Sequence, residues 1–167
     1  MKKGVSIAEL IVYAAILTVV SVFVINSLLI SSTVISKIRL GRKVNTNADV
    51  IMQKLVREIR LAQDLNASST FGINPSDLSL NTFISATNTT SVNLDFYTNE
   101  NKLFSKKGGA EPIQLNSDDV FISSFVLREV NASSSKAVKL ELTLEASTTR
   151  HSLSKNFYGT AILRGSY

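Results

Sequence analysis

The longest uncharged stretch of the sequence limits its fold more than any other feature. No Asp, Glu, Lys or Arg occurs in residues 10–36, a run of 27 residues that neither Gly nor Pro interrupts. As an α-helix this run would be about 40 Å long, which is enough to cross a hydrocarbon core of about 30 Å. Apolar stretches in the core helices of soluble proteins are shorter. The run therefore predicts a membrane-spanning helix.

A cleaved secretory signal is the main alternative for this stretch. Such a signal has a shorter apolar region that is followed by a cleavage site of the A-x-A type, and the sequence has no such site after the run. Lys2 and Lys3 precede the run, and four basic residues follow it within residues 37–43. Because positive charge flanks both ends, charge counting alone does not decide the topology.

The residues ahead of the run follow a specific order. A basic pair is followed by Gly4 and Val5, and Glu9 stands at the start of the apolar stretch. This order resembles the class III signal of type IV pilins and of type II secretion pseudopilins. In that family a short basic leader ends in Gly, and a glutamate is the fifth residue of the mature chain. Three positions differ from the usual family pattern, namely Val5 (commonly Phe), Ala8 (commonly a larger aliphatic residue) and Asn26 (Pro in many major pilins).

The resemblance implies roles for three residues. A prepilin peptidase would cut between Gly4 and Val5 and would methylate the new amino terminus of Val5. Glu9 would be the assembly contact, reaching the Val5 amine of a neighbouring subunit. In a medium of low dielectric constant, such a cation and carboxylate attract strongly and offset the cost of burying each other. The leader would be cytoplasmic and the remainder of the chain extracytoplasmic.

The chain beyond the apolar run predicts an amphipathic helix and then a β-rich head. Apolar residues recur at helical spacing through residues 44–65, with charged residues between them, and Gly41 is a candidate soft point in the helix. We expect strands at 92–97, 102–105, 120–130, 138–144 and 157–163, with a turn at 98–101. The expected fold is α+β, a long N-terminal helix packed on a C-terminal antiparallel β-sheet head, an order of elements that resembles pilin heads. The expected segments are a leader (1–4), a transmembrane helix (5–36), an amphipathic helix (37–66) and an extracytoplasmic head (67–167).

Few residues are candidates for other chemistry. The sequence has no cysteine and one histidine, His151, so thiolate and multi-histidine metal sites are excluded. Asp118 and Asp119 are adjacent acidic residues that favour a turn over a calcium site, which needs six or more oxygen ligands. The basic residues within 37–43 favour a solvated helix face over an anionic-lipid or DNA-binding patch. We expect no catalytic residues, no cofactor and no bound metal, and hence no enzyme.

Two functions fit these observations. The first is a structural subunit, more in keeping with a minor than a major one, of a type IV pilus or type II secretion pseudopilus. Residues 57–62 and 160–165 loosely resemble the minor-pilin and J-type pseudopilin branch. Its partners would be a prepilin peptidase, other subunits, membrane lipid and an inner-membrane assembly platform, with nucleic acid added only if the filament takes up DNA. It would reside in the cytoplasmic membrane and then in a periplasmic or cell-surface filament. The second is a membrane-anchored extracytoplasmic receptor module that does not polymerise.

Overall fold

The computed structural model describes residues 6–84, 90–132, 135–149 and 151–163, without the side chains of residues 131 and 132. The chain divides into two compact units, Met1–Arg39 and Leu40–Tyr167. The first unit contains the apolar half of the long helix. The second contains the amphipathic half and all of the described strands.

Helix α1 extends over Ile7–Leu61. Glu9 lies in its first turn and Arg60 in its last, and both charges are favourable to the helix dipole. The helix continues through Gly41, the expected soft point, without a break. It ends five residues before the expected limit at residue 66. The reason is that the amides of Gln63 and Asn66 donate to carbonyl groups of a neighbouring strand, at 2.8 and 2.9 Å, instead of continuing the helical ladder.

The amphipathic half of α1 buries the face that its sequence spacing predicted. Its buried side chains are Leu40, Val44, Ala48, Ile51, Leu55 and Ile59. They recur every three or four residues, so they lie on one side of the helix. This part of the sequence prediction is confirmed.

The first sheet has five antiparallel strands in sequence order: β1 (Asp64–Leu65), β2 (Leu78–Phe83), β3 (Ser91–Asn99), β4 (Lys102–Lys107) and β5 (Ile113–Gln114). The expected hairpin is confirmed as β3 and β4, with a tighter turn than residues 98–101. Glu100 and Asn101 alone form the loop, and both have positive φ, as in a type I′ turn. Strands β1, β2 and β5 have short or poorly alternating sequences, and the sequence patterns missed them.

The second sheet has three antiparallel strands, β6 (Val120–Ala132), β7 (Ser135–Ser147) and β8 (Ser152–Ile162). The alternation predicted for β7 is confirmed, whereas β8 begins five residues earlier than the expected residue 157. The strands of the expected antiparallel β-rich head thus form two separate sheets. A loop, and not a strand, pairs with the edge of β6 that faces away from β7. The amides of Gly72 and Ser76 donate to the carbonyls of Leu127 and Phe125, both at 2.8 Å.

Both sheets and the amphipathic half of α1 share one hydrophobic core. Buried side chains of the helix, such as Ile51 and Leu55, belong to the same cluster as Phe96 of the first sheet and Phe125 and Leu140 of the second. Sheets that bury one face must cover it with another layer, and here the helix supplies that layer. The α+β class expected from the sequence is confirmed.

Candidate functional site in the apolar half of helix α1

Among the described residues of its own unit, nothing covers the apolar half of α1. Its large side chains are exposed, for example Leu17 (68%) and Phe23 (79%). The most apolar 18-residue window has a mean hydropathy of 2.4, and none of it is buried. Burial of such surface in water-free surroundings is strongly favourable. By length and composition this helix could span a membrane.

Several hydroxyl groups in this helix are already hydrogen-bonded to its own backbone. Thr18 Oγ1 donates to the Ala14 carbonyl at 2.8 Å, and Ser21 Oγ donates to the Leu17 carbonyl at 2.7 Å. Ser36 makes the same contact with Ser32 one turn back. Such bonds satisfy the hydroxyl within its own helix, so these residues add little to the cost of a lipid environment.

Asn26 differs from these hydroxyl residues. It lies near the middle of the apolar run, its side chain is exposed, and no described residue hydrogen-bonds with its amide. An amide in hydrocarbon is costly unless it finds a partner, and Asn side chains are known to hydrogen-bond across neighbouring membrane helices. In the sequence analysis, Asn26 was noted only because many major pilins have Pro at this position. The structure adds that its amide is available to a neighbouring helix.

Glu9 has a partner on its own helix. Tyr13 Oη donates a hydrogen bond to Glu9 Oε1 at 3.1 Å, and both side chains are exposed. The two residues are separated by four positions, so they lie on the same face of the helix. Gly4 and Val5, the predicted cleavage and methylation positions, lie outside the described residues. The structure therefore places Glu9 and adds Tyr13, which sequence reasoning missed although the i,i+4 spacing was visible.

The acidic pair in the head is engaged by side chains of the protein. Asp119 pairs with Lys43 of α1 at 2.5 Å, and Asp118 accepts a hydrogen bond from Gln114 at 3.0 Å. The hydrogen bond from Lys43 holds the pKa of Asp119 below its ordinary value. Within the described part of the chain, no group of three or more potential metal ligands occurs.

Lys102 supplies a positive charge to the loop that contains this acidic pair. Its Nζ donates to the carbonyls of Ser117, Asp118 and Val120, at 3.0, 2.7 and 3.1 Å. The same atom lies 4.5 Å from the centre of the Phe121 ring, which is a favourable cation–π distance. An ammonium group thus binds three backbone oxygens of this loop.

The remaining candidates have ordinary surroundings. His151 lies in the turn between β7 and β8, where its backbone bonds with Thr148. Of the basic residues in 37–43, Lys43 forms the ion pair described above, and Lys37, Arg39 and Arg42 are exposed. Neither His151 nor the basic residues within 37–43 form a catalytic arrangement with other described residues.

Comparison of the chain with protein-family models, curated proteins and solved structures found no match.

Proposed function

We propose that the protein is a structural subunit of a type IV pilus or type II secretion pseudopilus, more in keeping with a minor than a major subunit. The observation that carries this proposal is the apolar half of α1, whose large apolar side chains are exposed and which has one carboxylate in its first turn. The head buries a complete core with residues from Leu40 onward, so it does not need the apolar half for its stability. The apolar surface is therefore free to contact lipid and then other subunits.

Two environments would cover this surface in turn. In the membrane, lipid chains surround residues 10–36 and exclude water from them. In a filament, the same side chains pack against the corresponding helices of other subunits. Lipid tails are as apolar as these side chains, so transfer between the two settings costs little hydrophobic energy and helix association depends on packing and on polar contacts.

The polar contacts would come from Glu9 and the amino terminus created by cleavage after Gly4. A free carboxylate in hydrocarbon costs a few kcal/mol, of the order of 2–3 near the bilayer centre and less near the interface. Pairing with the Val5 amine of a neighbouring subunit would offset that cost. The pairing would favour one register of the helices over others, because only one alignment brings the two charges together.

The test is to examine the amino terminus and assembly of the protein in its native membrane. We expect intact-mass analysis to show a chain that begins at methylated Val5. Gly4→Lys should block processing, and Glu9→Val should permit processing but abolish incorporation into filaments. Ser6→Ala is the matched control, since it lies between these positions and should change neither result. A native chain that retains Met1, together with normal behaviour of both variants, would favour the membrane-anchored receptor.

A further inference from the structure

The outer face of the first sheet carries a cleft of about 350 Å³ with an acidic lining. Its lining includes Ser68, Asp77, Ser79, Asp95 and Tyr97, together with the apolar residues Leu78 and Phe96, and we call it the acidic cleft. The register pairs Ser79 with Asp95, so the odd-numbered residues of β2 and β3 lie on one face together. Leu78 and Phe96, between them in sequence, point to the opposite face and are buried in the core.

The two carboxylates of the acidic cleft have capacity for a cation. Ser79 Oγ donates to Asp95 Oδ1 at 2.5 Å, and no described residue donates to the second oxygen. The Asp77 side chain is exposed and likewise has no described partner. Lys106 lies opposite Asp95 across β3 and β4, but no ion pair within 4.0 Å joins them in the described chain. Within the described chain, therefore, neither Asp77 nor Asp95 forms an ion pair with a basic side chain of the head.

The aromatic side chain of Tyr97 in the acidic cleft favours one class of cation over others. The Tyr97 ring stacks on Phe104 with its centroid 5.8 Å away and is thereby held in place. A guanidinium group is planar, binds carboxylates through two parallel hydrogen bonds and stacks on aromatic rings. A divalent metal needs more oxygen ligands than these carboxylates provide. The lining thus fits an arginine side chain better than a metal ion.

The same chain presents such arginines on the solvent side of α1. The residues facing away from the core recur at helical spacing and form a stripe, which we call the arginine stripe: Arg42, Thr46, Asp49, Gln53, Arg57 and Arg60. All six are exposed. Arg57 and Arg60 are one turn apart, and no described acidic side chain lies within ion-pair distance of either. These two arginines lack a counter-ion in the part of the chain that the structure describes.

The arginine stripe and the acidic cleft cannot meet within one molecule. The stripe is on the side of α1 opposite its core-facing residues, and the cleft is on the side of the first sheet opposite its core-facing residues. The two surfaces are therefore on opposite sides of the head. A contact between them must join different copies, and a contact between two different surfaces is heterologous, which generates a ring or an open helical filament.

From these observations we infer that the acidic cleft of one copy binds Arg57 or Arg60 of a neighbouring copy and thereby joins successive heads. The inference rests on the proposed function, since subunits in a filament are held side by side. It adds a contact between heads to the contact between apolar helices. The occupant is a second copy of this chain, chosen because the charges are complementary and because each head carries one of each surface.

Disulfide cross-linking tests the contact without background, because the chain has no cysteine. Gln53→Cys lies in the arginine stripe and Ser68→Cys lies in the acidic cleft, and both leave the charged residues intact. The two full-length single-cysteine proteins, one with a mass tag, are reconstituted together in lipid vesicles and oxidised. We expect the mixed dimer to form at least tenfold more than either homodimer. Adding Arg57→Gln and Arg60→Gln, or Asp77→Asn and Asp95→Asn, should lower the yield at least fivefold.

Controls separate this inference from the function on which it rests. Arg128→Gln removes an exposed arginine outside the stripe and should leave the yield unchanged. Leu17→Cys reports association of the apolar helices in the same vesicles. Cross-linking through Leu17→Cys without the mixed dimer would overturn the inference and leave the proposed function standing. Absence of both cross-links would overturn both. A yield that depends on the carboxylates but not on the arginines would assign the cleft to another cation and also overturn the inference.

Discussion

Tyr13 donates a hydrogen bond to Glu9 across one turn of the exposed apolar helix, with 3.1 Å between Oη and Oε1. The bond satisfies one carboxylate oxygen and restricts the side-chain rotamers of Glu9. A hydrogen bond to a charged group is worth about 2 kcal/mol when water is excluded. Tyr13 is therefore a candidate positioning residue for the carboxylate that the proposed function uses.

Tyr13→Phe should weaken assembly less than loss of Glu9 does. The phenylalanine keeps the ring and removes only the hydroxyl, so the carboxylate remains but is less well oriented. We expect several-fold lower incorporation into filaments, measured by quantitative immunoblotting of sheared filaments against membrane-bound protein. Tyr13→Trp would restore a donor group with different geometry. Normal incorporation of Tyr13→Phe, alongside a defective Glu9→Val, would show that the hydrogen bond does not assist assembly.

Asn26→Leu should weaken self-association of the apolar helix. The substitution removes the exposed amide near the middle of the run and replaces it with a side chain that lipid solvates equally well. Hydrogen bonds between membrane helices contribute about 1 kcal/mol, so the dissociation constant should rise roughly fivefold. Fluorescence energy transfer between labelled copies in vesicles measures this change. Ile25→Leu, an apolar exchange at the adjacent position, should have no effect, and an equal response of the two variants would refute the role of Asn26.

Ile51→Ala should destabilise the head strongly. Ile51 is fully buried between α1 and the sheets, and truncation of such a side chain leaves a cavity that costs about 2–5 kcal/mol. Chemical denaturation followed by near-ultraviolet circular dichroism measures the free energy of unfolding. Val50→Ala provides the matched control, since Val50 is the preceding residue of the same helix and is 51% exposed. Comparable losses in the two variants would contradict the packing described here.

Lys102→Met should destabilise the loop of residues 115–120. Removal of calcium should leave the melting temperature of the unaltered protein unchanged. The three carbonyls that Lys102 binds would lose their donor, which we expect to cost about 2 kcal/mol. Lys106→Met, on the same strand, is the control and should be close to neutral. Thermal unfolding with and without a calcium chelator measures both effects. A melting temperature of the unaltered protein that falls on chelation would show that the head binds calcium after all.

The stability of the head should fall in acid. Hydrogen bonds from Lys43 and Lys136 lower the pKa of Asp119 and Asp64, respectively, below their ordinary value of 3.8. Because the unfolded chain then binds protons at higher pH than the folded chain, this contribution is complete above about pH 5 and is lost as the pH falls through the lowered values. Melting temperatures between pH 6 and pH 2 should show the loss.

Two variants test whether the contact between Lys43 and Asp119 contributes to this loss of stability in acid. Asp119→Asn removes one titrating group and should flatten the fall of melting temperature with pH. Asp49→Asn removes an exposed carboxylate of the arginine stripe that has no described ion pair, and its profile should follow that of the unaltered protein. Identical profiles for all three proteins would exclude a contribution from the contact between Lys43 and Asp119.

Sequence periodicity was most informative where one physical requirement acted on many residues. The spacing of Val44, Ile51 and Leu55 gave the buried face of α1, and the alternation in β7 gave its inward side chains. The end of α1 could not be obtained in this way, because the amides of residues 63–66 pair with β2, a strand whose sequence alternates poorly. The strands of the second sheet were predicted, but their separation from the first sheet was not, because a loop of residues 72–76 pairs with the edge of β6.

The candidate site was visible in part. The apolar run and Glu9 were evident from sequence, because charge is so rare in a lipid environment that a single carboxylate stands out. The acidic cleft was not, since Asp77 and Asp95 are eighteen positions apart in sequence. The fold brings them to one cleft, because Asp77 directly precedes β2 and Asp95 lies on β3, the strand that pairs with β2.

The opposite placement of the acidic cleft and the arginine stripe has a consequence for any assembly that uses both. Each copy added to a row fills one cleft and covers one stripe, and it contributes one new surface of each kind. An open row of any length therefore ends with a vacant cleft at one extremity and an uncovered stripe at the other. The two ends differ in charge, so a capping partner would need arginine or lysine for one end and acidic groups for the other. Direction along such a row is thus specified chemically by the subunit itself.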